Sequence, residues 1–71
     1  MIELRQLQHF LAVIEEGGIR RAARRIPLSP SSVARSVKML ETRYGVPLMV
    51  RRGKRVEPTA FGRQLAQEAR A

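Results

Sequence analysis

The sequence predicts a mainly α fold: a three-helix core, a short β-hairpin, and the start of a fourth helix. Three observations carry this expectation. Apolar residues recur at i, i+3, i+4 and i+7 in successive segments; Gly and Pro stand where that pattern breaks; and a basic turn, Arg51-Arg52-Gly53-Lys54, separates two short β-capable runs.

Leu7, Phe10, Leu11 and Ile14 form the apolar stripe of a helix packed on a core, predicted over about residues 4–16. Its start has no strong capping residue, and Gly17-Gly18 ends it because Gly tolerates the left-handed conformation at a helix C-terminus. Ile19, Ala22, Ala23 and Ile26 repeat the spacing over a two-turn helix, about 19–26. Its Ala pair allows another helix close approach, and Pro27 disfavours helical geometry at Ile26. Ser29-Pro30 is a helix-start signal: Ser caps the free amide groups and Pro suits the first helical position. Val33, Val37, Leu40 and Tyr44 then mark the buried side of a third helix, about 30–44, closed by Gly45 and Pro47.

Leu48–Val50 and Arg55–Glu57 are the expected strands, with Gly53 free to take positive φ between them. Pro58 closes the hairpin and Thr59 can cap a last helix, whose Phe61, Leu65 and Ala69 fall at i, i+4, i+8. Residues 1–58 thus read as one domain and residues 59–71 as the start of a further helix.

Composition narrows the function classes. The 71 residues hold 14 Lys+Arg against six acids, a formal net charge of +8, with one His and no Cys. Thiolate zinc sites and disulfides are excluded, and no metal or cofactor is expected in this segment. There is no Asp, and His9 is the only imidazole, so an acid/base pair or triad has little to be built from and an enzyme is not expected. His9 reads as a partly exposed helix residue. No apolar run would span a bilayer, and the N-terminus lacks a signal-peptide pattern, so a cytoplasmic protein is expected and no membrane partner.

The charge is concentrated. Residues 17–56 hold eleven basic residues and the single acid Glu41, whereas the two flanks sum to zero or below. Such a field points to a polyanion, with a solvated basic surface as the bland alternative. Two helices joined by Pro27-Leu28-Ser29, with Ala at their crossing, make a helix-turn-helix, and the hairpin makes it winged. Helix 3 is then free on one side to enter a major groove of duplex DNA about 12 Å wide. Pro30, Ser31, Ser32, Ala34, Arg35 and Lys38 are the candidates for base edges or groove contact. Ser29, Arg20, Arg21, Arg51, Arg52, Lys54 and Arg55 are the candidates for phosphate, with the last four forming the wing. Of Arg20, Arg21, Arg24 and Arg25, which surround a short helix, one or two are expected to touch the backbone.

The ordered set Leu4-x-x-Leu7-x-x-Phe10, Gly18-x-x-Arg21-Ala22-Ala23, Ser29-x-x-x-Val33-x-Arg35, Gly45-Val46-Pro47-Leu48, Arg51-x-Gly53 and Thr59-x-x-Gly62 resembles the N-terminal DNA-binding domain of LysR-type bacterial transcription regulators. The resemblance covers nearly the whole chain. It implies sequence-specific binding of double-stranded DNA and a linker helix that pairs two subunits of a homodimer, with Phe61, Leu65 and Ala69 on the dimer face. It further implies a nucleoid-associated regulator and a C-terminal domain, absent from this chain, that binds a small effector. For Phe61, packing on helix 1 of the same chain is the alternative.

Departures from the family pattern bear on specificity. Pro30 stands where Gln is usual and Ala34 where Ser is usual, while Met49 and Ile19 replace aromatic residues. The chain has no Asn, and its four Gln (6, 8, 64 and 67) all lie outside helix 3. The preferred bidentate adenine readers are therefore missing, and a lean towards guanine contacts from Arg35 or Lys38 and thymine-methyl contacts from Pro30 or Ala34 is expected. Two other classes compete with this reading: a nonspecific DNA- or RNA-binding module, and a protein-interaction module that has lost DNA binding.

Overall fold

The computed structural model describes residues 2–70. Met1 and Ala71, the outer ends of the two predicted segments, lie outside them. The order is α1 (Ile2–Glu16), α2 (Ile19–Arg25), α3 (Pro30–Tyr44), β1 (Met49–Arg52), β2 (Arg55–Pro58) and α4 (Ala60–Arg70). This is a winged helix-turn-helix.

Local chemistry sets most boundaries. Gly17, at φ 77°, ends α1, and its N–H donates to the Val13 carbonyl at 2.8 Å. α2 stops at Arg25, one residue before the expected end, with Ile26 outside the helical region at φ −107°, ψ 32°; the following Pro27 disfavours the α conformation there. α3 runs over the predicted span. Ser29 is its N-cap and Gly45, at φ 74°, its C-cap.

The three first helices pack on one another around Phe10, Val13, Ala22, Ala23, Val33, Val37 and Leu40. The side chains of Ala22 and Ala23 are buried, so α2 lies close against its neighbours. β1 and β2 form a two-stranded antiparallel sheet in which Met49 faces Pro58 and Arg52 faces Arg55. Gly53, at φ 62°, takes the first position of the two-residue turn, where a hairpin of this length favours Gly.

β1 is shifted relative to the expectation and takes in Arg51 and Arg52, whereas β2 begins at Arg55 as expected and runs one residue further, to Pro58. Leu48 is not in β1; its side chain is fully buried, its N–H donates to Glu41 Oε2 at 2.8 Å, and its carbonyl accepts from Thr59 N–H at 3.1 Å. The three consecutive apolar residues Leu48, Met49 and Val50 are thereby explained: the first is core and the strand starts after it.

Two further expectations are corrected, at Tyr44 and at His9. Tyr44 is not on the buried stripe of α3 but 38 % exposed. The chain reverses at Gly45 and returns Leu48 to the core, while the Tyr44 ring stays at the rim against Phe61 (centroids 5.5 Å apart, planes tilted by 56°). Phe61 therefore meets α3 at this rim. α4 buries Gly62 and Ala66, with Leu65 and Ala69 only half-buried. A Cβ on Gly62 would overlap the Leu48 carbonyl, so the first turn of α4 sits directly on that backbone and fixes which side faces inward. His9, finally, is only 9 % exposed, because its Nδ1 lies 2.7 Å from Ser36 Oγ across the α1–α3 contact.

Candidate nucleic-acid interface

The N-terminus of α3 is organised by three hydroxyls. Ser32 N–H donates to Ser29 Oγ at 3.2 Å, satisfying an amide that the helix itself leaves open. Ser29 Oγ donates to Ser32 Oγ at 2.9 Å and lies 3.2 Å from Ser31 Oγ. Ser29 is therefore a cap, and Ser32 is half-buried and engaged with it. Pro30, Ser31, Arg35 and Lys38 are exposed, whereas Ala34 is half-buried. Ser31, Arg35 and Lys38, at i, i+4 and i+7, lie opposite the buried Val33, Val37 and Leu40. The hydrogen bond between His9 and Ser36 ties the flank of α3 to α1, so the outward side is presented by a helix held on its inner face and at its flank.

A second cluster forms where the hairpin meets α2. Val56 N–H donates to the Gly17 carbonyl at 3.1 Å, which brings β2 against the end of α1 and the turn over the start of α2. The result is a groove of about 420 Å³ lined by Arg20, Arg21, Arg24, Arg51, Lys54 and Arg55. None of these six cations has an ion-pair partner among the described residues. Arg20 and Arg24 also line a neighbouring depression of about 370 Å³ with Pro27, Leu28 and Pro30. They therefore connect the hairpin to the start of α3 along one cationic track.

The predicted site residues thus divide. Arg20, Arg21, Arg51, Lys54 and Arg55 are brought together. Arg52, predicted with them, points to Glu57 across the hairpin, Nε to Oε1 3.2 Å; both are exposed, so the pair is weak. Arg24 belongs to the track, and the sequence reading had not singled it out from its neighbours. Its signal was the i, i+4 relation to Arg20. Arg25 is diverted: it holds Glu15 at 2.7 Å and Glu16 at 3.3 Å, and Arg70 reaches Glu15 at 3.3 Å. The hydrogen bond from Arg25 is the main reason the Glu15 carboxyl titrates below its ordinary range.

Phe61 is exposed at the edge of α4 while Leu65 packs partly on the core. Among the described residues, no group of three His, Cys, Asp or Glu could hold a metal ion, and no helix is long and apolar enough to cross a membrane.

Residues 4–63 match the model of a family described as bacterial regulatory helix-turn-helix protein, lysR family. The HTH-type transcriptional regulator ClcR of Pseudomonas putida is 44 % identical over 69 residues, covering 97 % of this chain and 24 % of ClcR. The SDS degradation transcriptional activation protein of a Pseudomonas species is 41 % identical over 70 residues, 99 % of this chain and 23 % of that protein. The chain thus spans about a quarter of the length of these relatives. Among solved structures, the CbnR DBD–DNA complex superposes with a TM-score of 0.89 at 37 % identity, covering 94 % of this chain and 77 % of that one. The BenM DBD/catB site 1 DNA complex gives 0.89 at 32 % identity, covering 93 % and 73 %.

Proposed function

Because the chain belongs to the lysR family of bacterial regulatory helix-turn-helix proteins, we propose that it is the segment of a transcription regulator that binds duplex DNA sequence-specifically, with α3 in the major groove and the hairpin on the flanking backbone or minor groove. The observation that carries this reading is the continuity of the surface: the outward side of α3 leads through Arg20 and Arg24 to the hairpin tip, with no intervening ion pair among the described residues. The CbnR and BenM neighbours are complexes with DNA, which supports the same partner.

The residues take distinct roles. Ser31, Arg35 and Lys38 face base edges, with Pro30 and Ala34 beside them at the protein–groove contact. Arg35 or Lys38 meets guanine O6/N7, and Pro30 or Ala34 packs on thymine methyls. Ser29 and Ser32 act chiefly through the cap, which aims the helix end. Arg20, Arg21, Arg24, Arg51, Lys54 and Arg55 neutralise phosphate, with Arg52 joining them when it leaves Glu57. In the full-length protein, α4 continues as the helix that pairs two subunits, with Phe61, Leu65 and Ala69 on its dimer side, and a small effector is bound by a domain outside this chain. The protein acts in the bacterial cytoplasm at the nucleoid and is not an enzyme.

The test is a comparison of a pool-selected duplex, a random duplex and a structured RNA by fluorescence anisotropy over a salt series. Arg35→Ala is expected to weaken the selected site by about tenfold to a hundredfold and the random duplex little. Lys54→Ala is expected to weaken both duplexes alike and to flatten the log–log salt slope by about one. Equal effects of the two substitutions, or RNA competing as well as the selected site, would overturn the assignment of α3 as the reading element.

A further inference from the structure

The groove between α2 and the hairpin tip holds more positive charge than fold stability can account for. Arg20, Arg21, Arg24, Arg51, Lys54 and Arg55 converge on about 420 Å³, and each raises the electrostatic cost of the others. The acids near this region are already engaged: Glu15 and Glu16 with Arg25, and Glu57 with Arg52. The cations next in sequence are thus neutralised and drawn aside, while the six in the groove are left for something outside the chain. Their arrangement is held by backbone, through the Val56–Gly17 hydrogen bond, and the Arg55 guanidinium lies against Gly17.

A single phosphate would satisfy two or three of these side chains and leave the rest in mutual repulsion. A run of linked phosphates carries a charge on each unit and can engage the arginines from both walls, several of them in bidentate fashion. Such a run occurs in a nucleic-acid strand and in a free condensed phosphate. We propose that the groove is a binding site for linked phosphates that accepts a free condensed phosphate in the absence of nucleic acid, so that condensed phosphate displaces duplex DNA from the hairpin end of the interface. Binding of the free anion follows from the groove alone; only the displacement rests on the DNA-binding reading.

The experiment titrates the isotope-labelled 71-residue chain with tripolyphosphate, and separately with orthophosphate, at constant ionic strength while amide shifts are followed. Tripolyphosphate is expected to give saturable shifts confined to residues 17–24 and 51–56, with affinity at least about tenfold above that for orthophosphate. The double substitution Arg24→Gln/Lys54→Gln should lower that affinity by about tenfold or more, whereas Arg63→Gln on α4 should leave it unchanged. An unchanged amide spectrum outside the groove shows that the double variant folds. Shifts spread over Arg43, Arg63 and Arg70 without saturation, or equal losses from Arg63→Gln and the double variant, overturn the site.

A competition arm adds tripolyphosphate to chain bound to a random duplex at matched ionic strength. Displacement from the wild-type chain but not from the double variant supports the shared site, and no displacement at saturating tripolyphosphate overturns it. Should tripolyphosphate bind in the groove while no duplex binds at all, the DNA reading fails and the anion site stands. Should duplex bind and tripolyphosphate not, the anion site alone fails.

Discussion

The guanidinium of Arg55 lies against Gly17: a Cβ at that glycine would sit 2.8 Å from Arg55 Nη2. The same glycine has φ 77° and accepts the Val56 N–H through its carbonyl. One position therefore ends α1, docks β2 and makes room for a cation of the basic groove between α2 and the hairpin.

Gly17→Ala is expected to destabilise the fold by about 1–2 kcal/mol, because an L-residue is strained in the left-handed region. The contact with Arg55 adds little, since the end of a flexible side chain can move aside. Gly18 should behave oppositely. It is the N-cap of α2 in extended backbone with no side-chain cap, and nothing lies within 4 Å of where its Cβ would be. Gly18→Ser supplies a hydroxyl acceptor and should stabilise by a few tenths of a kcal/mol, roughly the difference between Ser and Gly caps. Urea denaturation of the two variants checks both signs; a neutral Gly17→Ala would contradict the positive-φ account.

Gly62→Ala should be more damaging than its position in an exposed-looking helix implies. A new Cβ meets the Leu48 carbonyl, a backbone group that already accepts from Thr59 N–H and cannot retreat without disturbing it. Thr59 is fixed in turn: its Oγ1 donates to the Pro47 carbonyl at 2.9 Å and accepts from Gly62 N–H at 3.0 Å. A loss of about 1–3 kcal/mol is expected, as for other overpacked contacts. Faster amide exchange should be confined to α4 and the residue 45–49 turn; exchange unchanged in α4 would exclude the close approach as the cause.

These glycines mark what the sequence makes legible. α3 was readable because its ends are written in local chemistry, Ser29-Pro30 and Gly45, which act whatever the rest of the chain does. Its inner side was readable through Leu40 but not at Tyr44, where the competitor for the core, Leu48, arrives from beyond the turn. The phase of α4 was hidden for a similar reason: periodicity shows that Phe61, Leu65 and Ala69 share one side, but the backbone at Leu48 decides that Gly62 and Ala66 face inward. In the candidate site, the charge was visible and its convergence was not. The i, i+4 relation of Arg20 and Arg24 is local, whereas their meeting with Lys54 and Arg55 depends on the hydrogen bond between Val56 and Gly17. Arg52 and Arg25 look equivalent to their neighbours in sequence and are set apart only by where Glu57, Glu15 and Glu16 fall.

Tyr44 and Phe61 give a test of which chain Phe61 serves. Their tilted contact joins α3 to α4 within one chain, and Phe61 is still 44 % exposed. A double-mutant cycle with Tyr44→Ala and Phe61→Ala should yield a coupling of about 0.5–1.5 kcal/mol, the range for aromatic pairs beyond their buried area. That coupling should not change with protein concentration. A coupling that grows with concentration would show that the pairing of subunits through Phe61, proposed for the full-length protein, already forms in this 71-residue segment.

His9 makes the fold sensitive to mild acid. Burial, and secondly the charge of Arg5, hold its pKa below the ordinary imidazole value of 6.5. The hydrogen bond to Ser36 does not oppose this strongly: a charged ring must donate from Nδ1, and the Ser36 hydroxyl can turn to accept. With the folded pKa below the unfolded one, the unfolded chain binds more protons in the interval between them. Stability contributed by the neutral ring is therefore complete above the unfolded value and is lost as pH falls through the folded value. Lowering pH from about 7.5 to about 5.5 should reduce the urea midpoint of the wild-type chain, because titration of an imidazole falls in that range. Glu15 does not confuse the result, since its window lies lower still, below the ordinary carboxyl value of 4.5. His9→Gln keeps a polar group opposite Ser36 and should remove the pH dependence; Arg5→Gln should reduce it in part. A wild-type midpoint that is flat over this range, or a slope that persists in His9→Gln, would show that protonation of this ring does not load the α1–α3 contact.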